Sequence, residues 1–498
     1  MSDNIYYVLG CLLSQGDTGK LYPRVTIAAL PDDVLLEIFE FYLDLDSDDK
    51  DTWLLEFGLY EEDAWHTLVH VCSTWRRLVF ASPRRLNLQL LCKNTRPVRK
   101  MLNVWPELPI AIYACITNPR RPGTTNIIYA LKQHADRVYK IDISDSPNPL
   151  LKKIAAVKKP FPALTDLFLS SQDEPENHPV AIPASFLGGS APRLQNLSLY
   201  RIPFPALGRL LLSTRDLVTL SLYRIPRSGY ISPEEIVTCI STLTRLTEFF
   251  LKFESPRSRA EGTNRSPPPL ARVILPALTT LTFRGNSEYL EDTVSRIDTP
   301  LLHHVEIELF NQLVFDTPHL LHFIGRTEQF SAIYGATTLF SHQPAQIIPS
   351  FQEEMGMIHV RISCMPLDWQ LSSLTQIYNP FLSPLHTLEH LCIWDDQELQ
   401  PQFQDDIPEN DEWLEFLQQF TSIKDLELSK KFVPLVLPAL GDLTGERATE
   451  VLPALQNIFV EELPSSGPVQ EVIDKFVASR QLSDCPVSVR QREINWQL

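Results

Sequence analysis

A short apolar pattern, L-x-x-L-x-L, recurs along most of this chain and limits its fold more than any other feature. Copies stand at Val138/Ile141/Ile143, Leu164/Leu167/Leu169, Leu194/Leu197/Leu199 and Leu217/Leu220/Leu222. They continue at Leu246/Phe249/Leu251, Leu278/Leu281/Phe283, Leu302/Val305/Ile307 and Met357/Val360/Ile362. Leu388/Leu391/Ile393, Ile423/Leu426/Leu428 and Leu455/Ile458/Val460 follow, and Phe330 with Ile333 reads as a weak further copy. The last two apolar positions of each copy are two residues apart, the period of a strand with one buried face. One such unit cannot bury its face alone, so neighbouring units must stack. Leu197 to Pro203 and Leu220 to Pro226 are nearly identical, offset by 23 residues, and they set the register independently of any pattern choice.

That period resembles a leucine-rich repeat array, in which each unit is a strand plus a return element. The resemblance implies an irregular α/β solenoid with a parallel concave sheet and a helical convex side. Return helices are expected after Ser232-Pro233-Glu234-Glu235, a capping box with Pro at the first helical position. Others are expected over 413–420 and 469–477. The Asn that usually follows the strand is missing. Ile202 and Ile225 stand in its place, so irregular turns are expected. The solenoid is expected over 137–498, with transition units over 83–136 and polar loops at 255–269 and 395–412. Ser255-Pro256 and Ser266-Pro267, at the two ends of the first loop, are candidate phosphorylation dipeptides.

The 498 residues carry a formal charge of −17. Residues 44–63 and 395–412 each hold −8, so the remainder is near neutral and a globally basic nucleic-acid surface is absent. The eight Cys are scattered with no C-x-x-C spacing, which suits buried free thiols in a reducing compartment. Two N-x-S matches, at Asn196 and Asn264, matter only in a secreted chain. Ile5 to Leu13 is apolar but short and follows Asp3, so a signal peptide is not expected, and no apolar run is long enough to span a bilayer. The expected location is cytoplasm or nucleus.

Ahead of the repeats, after an extension over 1–26, residues 27–43 and 64–80 carry two helical apolar stripes. The first includes Leu30, Val34, Leu35, Ile38, Phe39 and Tyr42. Pro31 suits its first turn, and Asp32 and Asp33 complement the positive end of the helix. The second includes Leu68, Val71, Cys72, Trp75, Leu78 and Val79, with Arg76 and Arg77 leaving for solvent. Leu30-Pro31, Leu35, Ile38-Phe39 and then Val71-Cys72-x-x-Trp75-Arg76 resemble the F-box. The following stretch, Ser82 to Cys92 and then Val104 to Ile110, resembles the F-box-plus-repeat proteins abundant in mushroom-forming fungi.

The resemblance covers 27–82 as an F-box and implies a three-helix hook that docks on the Skp1-type linker of a cullin-RING ligase. Leu30, Pro31, Leu35, Ile38, Val71, Cys72 and Trp75 would form or support that docking face, some of them by packing inside the hook. The repeats would bind a protein substrate, giving a non-catalytic substrate-recognition adaptor. The alternative is a repeat scaffold without ligase association. The acidic insert 44–63, with apolar Trp53, Leu54, Leu55, Phe57 and Leu59 at its centre, departs from the tight helix junction of an F-box.

No pattern calls for a cofactor. His386, Glu389 and His390 match H-x-x-E-H, a zinc-hydrolase spacing that needs both His on one helix face. The repeat register puts His390 on a strand instead. His303-His304 and His319/His322 also sit inside repeat units without a ligand cluster. The outward positions of the sheet nominate Tyr200, Arg201, Tyr223, Arg224, Phe250, Lys252, Arg284 and Trp394 as the substrate-binding set. Tyr200, Tyr223 and Phe250 form a candidate ladder on adjacent strands. Exposed Tyr, Trp and Arg favour interfaces, whereas aromatic neighbours on a sheet also simply pack together.

Overall fold

The structure, a computed structural model, describes residues 27, 30–48, 65–93, 99, 102, 105–115, 124–172, 180–256, 271–312, 314–315, 317–330, 333–341, 344–351, 356–364, 366–382, 388–395, 408–443, 445–461 and 467–492. Two compact units divide the chain, Met1–Gln89 and Leu90–Leu498.

The first unit holds α1 (Asp32–Asp48), α2 (Trp65–Val71) and α3 (Ser73–Ala81). Leu35, Phe39, Trp65, Leu68, Val69, Leu78 and Val79 are buried and form its core. The Phe39 and Trp75 rings meet at 4.7 Å. The second stripe was expected as one helix, but it breaks at Cys72. That residue is extended, and its thiol caps α3 by accepting from the Trp75 N–H at 3.4 Å. Arg76, expected to face only solvent, donates its Nε to the Val69 carbonyl at 2.9 Å and ties the break together. α1 runs past the expected Tyr42 into the first residues of the acidic insert, and 49–63 lie outside the described residues.

The second unit opens with β1 (Leu90–Lys93), β2 (Ile110–Cys115), α4 (Thr124–Gln133), β3 (Val138–Ser146), α5 (Asn148–Ala155) and β4 (Asp166–Ser171). Next come β5 (Asn196–Tyr200), α6 (Leu207–Leu211), β6 (Thr219–Ile225), α7 (Pro233–Ile240) and β7 (Glu248–Phe253). β8 (Val273–Ile274), β9 (Thr280–Gly285), α8 (Ser287–Val294), β10 (Ile297–Asp298), β11 (His304–Phe310) and α9 (Pro318–Gly325) follow. β12 (Ile333–Phe340), β13 (Ala345–Phe351), β14 (Met357–Ser363), α10 (Leu367–Leu382) and β15 (His390–Asp395) lead to the last repeats. Those are α11 (Asn410–Gln418), β16 (Asp425–Leu428), α12 (Val433–Gly441), β17 (Asn457–Val460), α13 (Pro468–Leu482) and β18 (Ser488–Gln491).

Sixteen of these strands make one sheet, ordered β1-β2-β3-β4-β5-β6-β7-β9-β11-β14-β13-β12-β15-β16-β17-β18, and β8 with β10 forms a two-stranded ribbon. The inward positions of each repeat are buried, among them Leu197, Leu220, Leu281, Ile307, Val360, Leu391 and Leu426. The return helices cover that face. The rings of Phe253 and Phe283 on strands meet Tyr289 of α8 at 4.8 and 5.8 Å, and Phe340 of β12 meets Trp413 of α11 at 5.9 Å. This is the architecture of a leucine-rich repeat solenoid.

One expectation fails. The sheet is parallel except at β13, which is antiparallel to both β12 and β14. β12 lies beside β15 and β14 beside β11, so chain order runs backwards across three strands. The cause is connection length. A parallel crossover needs a dozen or more residues, and only 341–344 and 352–356 join these strands. The β13 stretch lacks the L-x-x-L-x-L pattern, and the weak copy at Phe330/Ile333 marks where the regular array stops.

The missing repeat Asn is replaced by backbone geometry. Arg201 and Arg224, at equivalent places in the twin repeats, have φ of 57° and 48°. In β6 the register against β7 shifts between Leu222 and Ile225, so an extra residue is absorbed there as a bulge. The bulge turns Ile225 inward to a buried position, and Ile202 is buried likewise. Ser232 caps α7, accepting from the Glu235 N–H at 3.1 Å, while the reciprocal capping box belongs to Glu409 and Glu412 on α11. The 255–269 loop falls almost wholly outside the described residues, as do 396–407 of the second loop, whose ends belong to β15 and α11.

Candidate functional site

Two surfaces carry the candidate residues. In the first unit, α1 is apolar on two faces. Leu35, Leu36 and Phe39 turn inward. Val34, Ile38 and Phe41, spaced four and three residues apart and hence on one side, are 38%, 41% and 66% exposed. Val71 at the end of α2 is 55% exposed. The predicted docking set therefore divides. Leu35 is buried and supports the fold. Leu30 and Trp75 are half-buried, and Trp75 leans on Phe39. Pro31, Ile38, Val71 and Cys72 are exposed. Val34 and Phe41 were missing from the set. Phe41 lies off the stripe that packs the core, so core periodicity could not nominate it, although a second stripe at i, i+4, i+7 was there to be read.

In the second unit the outward strand positions form an open face whose residues line up across the sheet. Tyr200 and Tyr223 are register partners, and Phe250 pairs one row earlier with Ser221. The Tyr223 and Phe250 rings lie 5.7 Å apart. The guanidiniums of Arg201 and Arg224 sit 5.8 and 5.6 Å from the Tyr200 ring centre, and the Lys252 ammonium sits 5.7 Å from that of Tyr223. Burial, then the charges of Glu306 and Glu248, raise the Tyr223 phenol above its ordinary ionisation range. It is a neutral donor at any physiological pH.

Most cations of this face already have carboxylate neighbours. Arg201 pairs with Glu254 at 3.3 Å, Lys252 with Glu306 at 3.6 Å, Arg284 with Glu308 at 3.1 Å and Arg361 with Glu306 at 2.7 Å. His359 lies against Gln346 at 2.6 Å. Cross-strand pairs of this kind stabilise the sheet itself. Arg224 is the exposed guanidinium of the predicted set. Trp394 leaves that set. It is 8% exposed, with Leu339 of β12 as its register neighbour, so its ring is covered. The regular repeat pattern does not show that β12, out of chain order, stands beside it in place of β14.

The described residues of the H-x-x-E-H stretch are engaged elsewhere. His390 opens β15 and pairs with Asp425 at 3.0 Å, Glu389 pairs with Lys424, and His386 lies outside the described residues. His319 and His322 sit on α9, and His304 on β11. Among the described residues no group of three His, Cys, Asp or Glu is placed to hold a metal ion. Four of the seven described Cys are buried, and burial pushes the Cys364 thiol up to about 12. No described helix is long and apolar enough to cross a membrane.

No protein-family profile matches the chain, and no curated protein does. Among solved structures, the leucine-rich repeat-containing protein LegL7 from Legionella pneumophila matches over 67% of this chain and 96% of its own, at 12% identity and a TM-score of 0.26. With so low a score the assignment of this chain to a leucine-rich repeat architecture rests on its own strand order, register and buried inward positions.

Proposed function

We propose that this chain is a substrate-recognition adaptor of a Skp1-cullin-F-box ubiquitin ligase, with α1–α3 as the F-box and the repeats as the protein-binding part. The observation that carries the reading is the second apolar face of α1. Val34, Ile38 and Phe41 on one side of α1, and Val71 at the end of α2, are exposed. Apolar side chains clustered on one side of a helix mark a partner surface. The residue identities resemble the F-box, whose partner is the Skp1-type linker. The chain would do no chemistry and need no cofactor. It would raise the effective concentration of a bound protein beside the ubiquitin-loaded enzyme, in cytoplasm or nucleus.

The test is co-purification of the full chain with a Skp1-type subunit. Wild type should bind, and Ile38→Asp or Val71→Asp should weaken capture at least tenfold while circular dichroism stays unchanged, because both side chains are exposed. Leu35→Asp would be uninformative, since it places a charge in the core. Absence of binding by the folded wild type sinks the ligase reading and leaves a repeat scaffold without ligase association.

A further inference from the structure

The chain leaves β7 through a serine set among arginines. Arg227 donates its Nε to Ser255 Oγ at 3.4 Å, near the outer limit of a hydrogen bond. Glu254, the preceding residue, holds Arg201 at 3.3 Å. Arg201 and Arg224 share the Tyr200 ring. Guanidiniums of two successive repeats are thus linked to residues 254–255. Arg201 and its equivalent in the next repeat, Arg224, stand at left-handed positions where Gly or Asn would be less strained. A neutral hydroxyl is a weak match for this setting. A phosphate brings about two negative charges and three acceptor oxygens, and the guanidinium fork fits it. Ser255 is partly exposed, and Pro256 and Arg227 are exposed.

We propose that Ser255 is a phosphorylation site whose phosphate is held by Arg227, with Arg201 and Arg224 as the cationic surround. In the step, Ser255 Oγ bonds to the γ-phosphorus of a nucleoside triphosphate. The bond from that phosphorus to the β–γ bridging oxygen breaks, the diphosphate leaves, and the hydroxyl proton passes to the base of a proline-directed serine kinase. The modification adds about two negative charges and so takes the Tyr200–Arg224 end of the open face from cationic to near neutral, which alters what that face can hold. It does not depend on the ligase reading.

The full chain is incubated with a proline-directed serine kinase and ATP, and sites are mapped by tandem mass spectrometry. Ser255 should be modified. In ³¹P NMR its phosphate should lose the second proton at least ~0.5 pH unit below the same phosphoserine in a short unstructured peptide, because neighbouring cations favour the dianion. Arg227→Gln should take up phosphate equally and shift the ionisation back towards the peptide value, with Arg227→Lys between the two. If Arg227→Gln does not fold, the comparison of wild type with peptide decides alone. Modification that spares Ser255, or a peptide-like ionisation in the folded chain, overturns the proposal.

Discussion

At the scale of single residues, several polar groups serve backbone or neighbours and are closed to partners. Arg480 of α13 is fully buried and donates to the carbonyls of Ala448 at 2.9 Å, Leu455 at 3.1 Å and Leu452 at 3.3 Å. Those carbonyls belong to the turn ahead of β17, where Leu452 has a φ of 50°. His359 is closed in a different way. Burial first, and then the Arg361 guanidinium, push its imidazole from 6.5 down to about 4. The unfolded chain takes up this proton near pH 6.5 and the folded chain only near 4, so between those values the unfolded state binds more protons. Stability from this site is complete above pH 6.5 and falls as the pH drops towards 4. We predict an NMR titration midpoint for His359 below pH 5, and a smaller loss of urea stability from pH 7 to 5 in His359→Gln than in wild type. A midpoint near 6.5 would refute it. Arg361 lies two residues along the same strand and is visible in the sequence, but the burial, the Glu306 carboxylate and the Gln346 contact come from the packing and from other strands.

At the scale of elements, the repeats supply one another's caps. α9 begins at Pro318 without a capping side chain of its own. Glu291, on α8 and 2% exposed, accepts from the backbone N–H groups of His319 at 2.7 Å and Leu320 at 2.8 Å. A carboxylate at a helix N-terminus satisfies orphan donors and complements the dipole. Glu291→Ala should cost about 1–2 kcal/mol and speed amide exchange at His319 and Leu320, whereas unchanged exchange would show that water caps the helix as well. Most strands of the large sheet and three of the return helices, α7, α11 and α13, were legible in the sequence, since periodicity and burial are the same fact seen twice. The break at Cys72 was not, because the apolar stripe continues across it and the cap is a tertiary detail. Caps borrowed from the neighbouring repeat leave no local signal at all.

At the scale of the molecule, the repeat unit behaves as a nearly one-dimensional stack in which each strand meets only its neighbours. Damage should stay local. Leu426 in β16 is fully buried, and Leu426→Ala should cost about 2–5 kcal/mol. Hydrogen exchange should rise in β15–β18 and stay at wild-type rates in β3–β6, and a uniform rise would contradict a stack of this kind. The reversed β12–β13–β14 segment is the exception to nearest-in-sequence pairing. It ties β11 to β14 across the whole hairpin, so the order in which strands pair there cannot follow the order of the chain.

What the sequence determined by itself is the repeat, its register and its inward face, because stacking units must bury the same periodic apolar positions. It also determined the helical N-terminal unit, through stripes and caps that act within a few residues. Tertiary structure alone decided three things. It inverted the order of three strands and turned the middle one antiparallel, since short connections forbid a parallel crossover. It sorted the apolar residues of α1 into core and exposed face, because only the side turned to α2 and α3 meets other apolar side chains among the described residues. It withdrew Trp394 from the open face while leaving Tyr200, Tyr223 and Arg224 there. Which outward side chains remain available depends on what neighbouring strands place beside them, and a strand's own alternation carries no record of its neighbours.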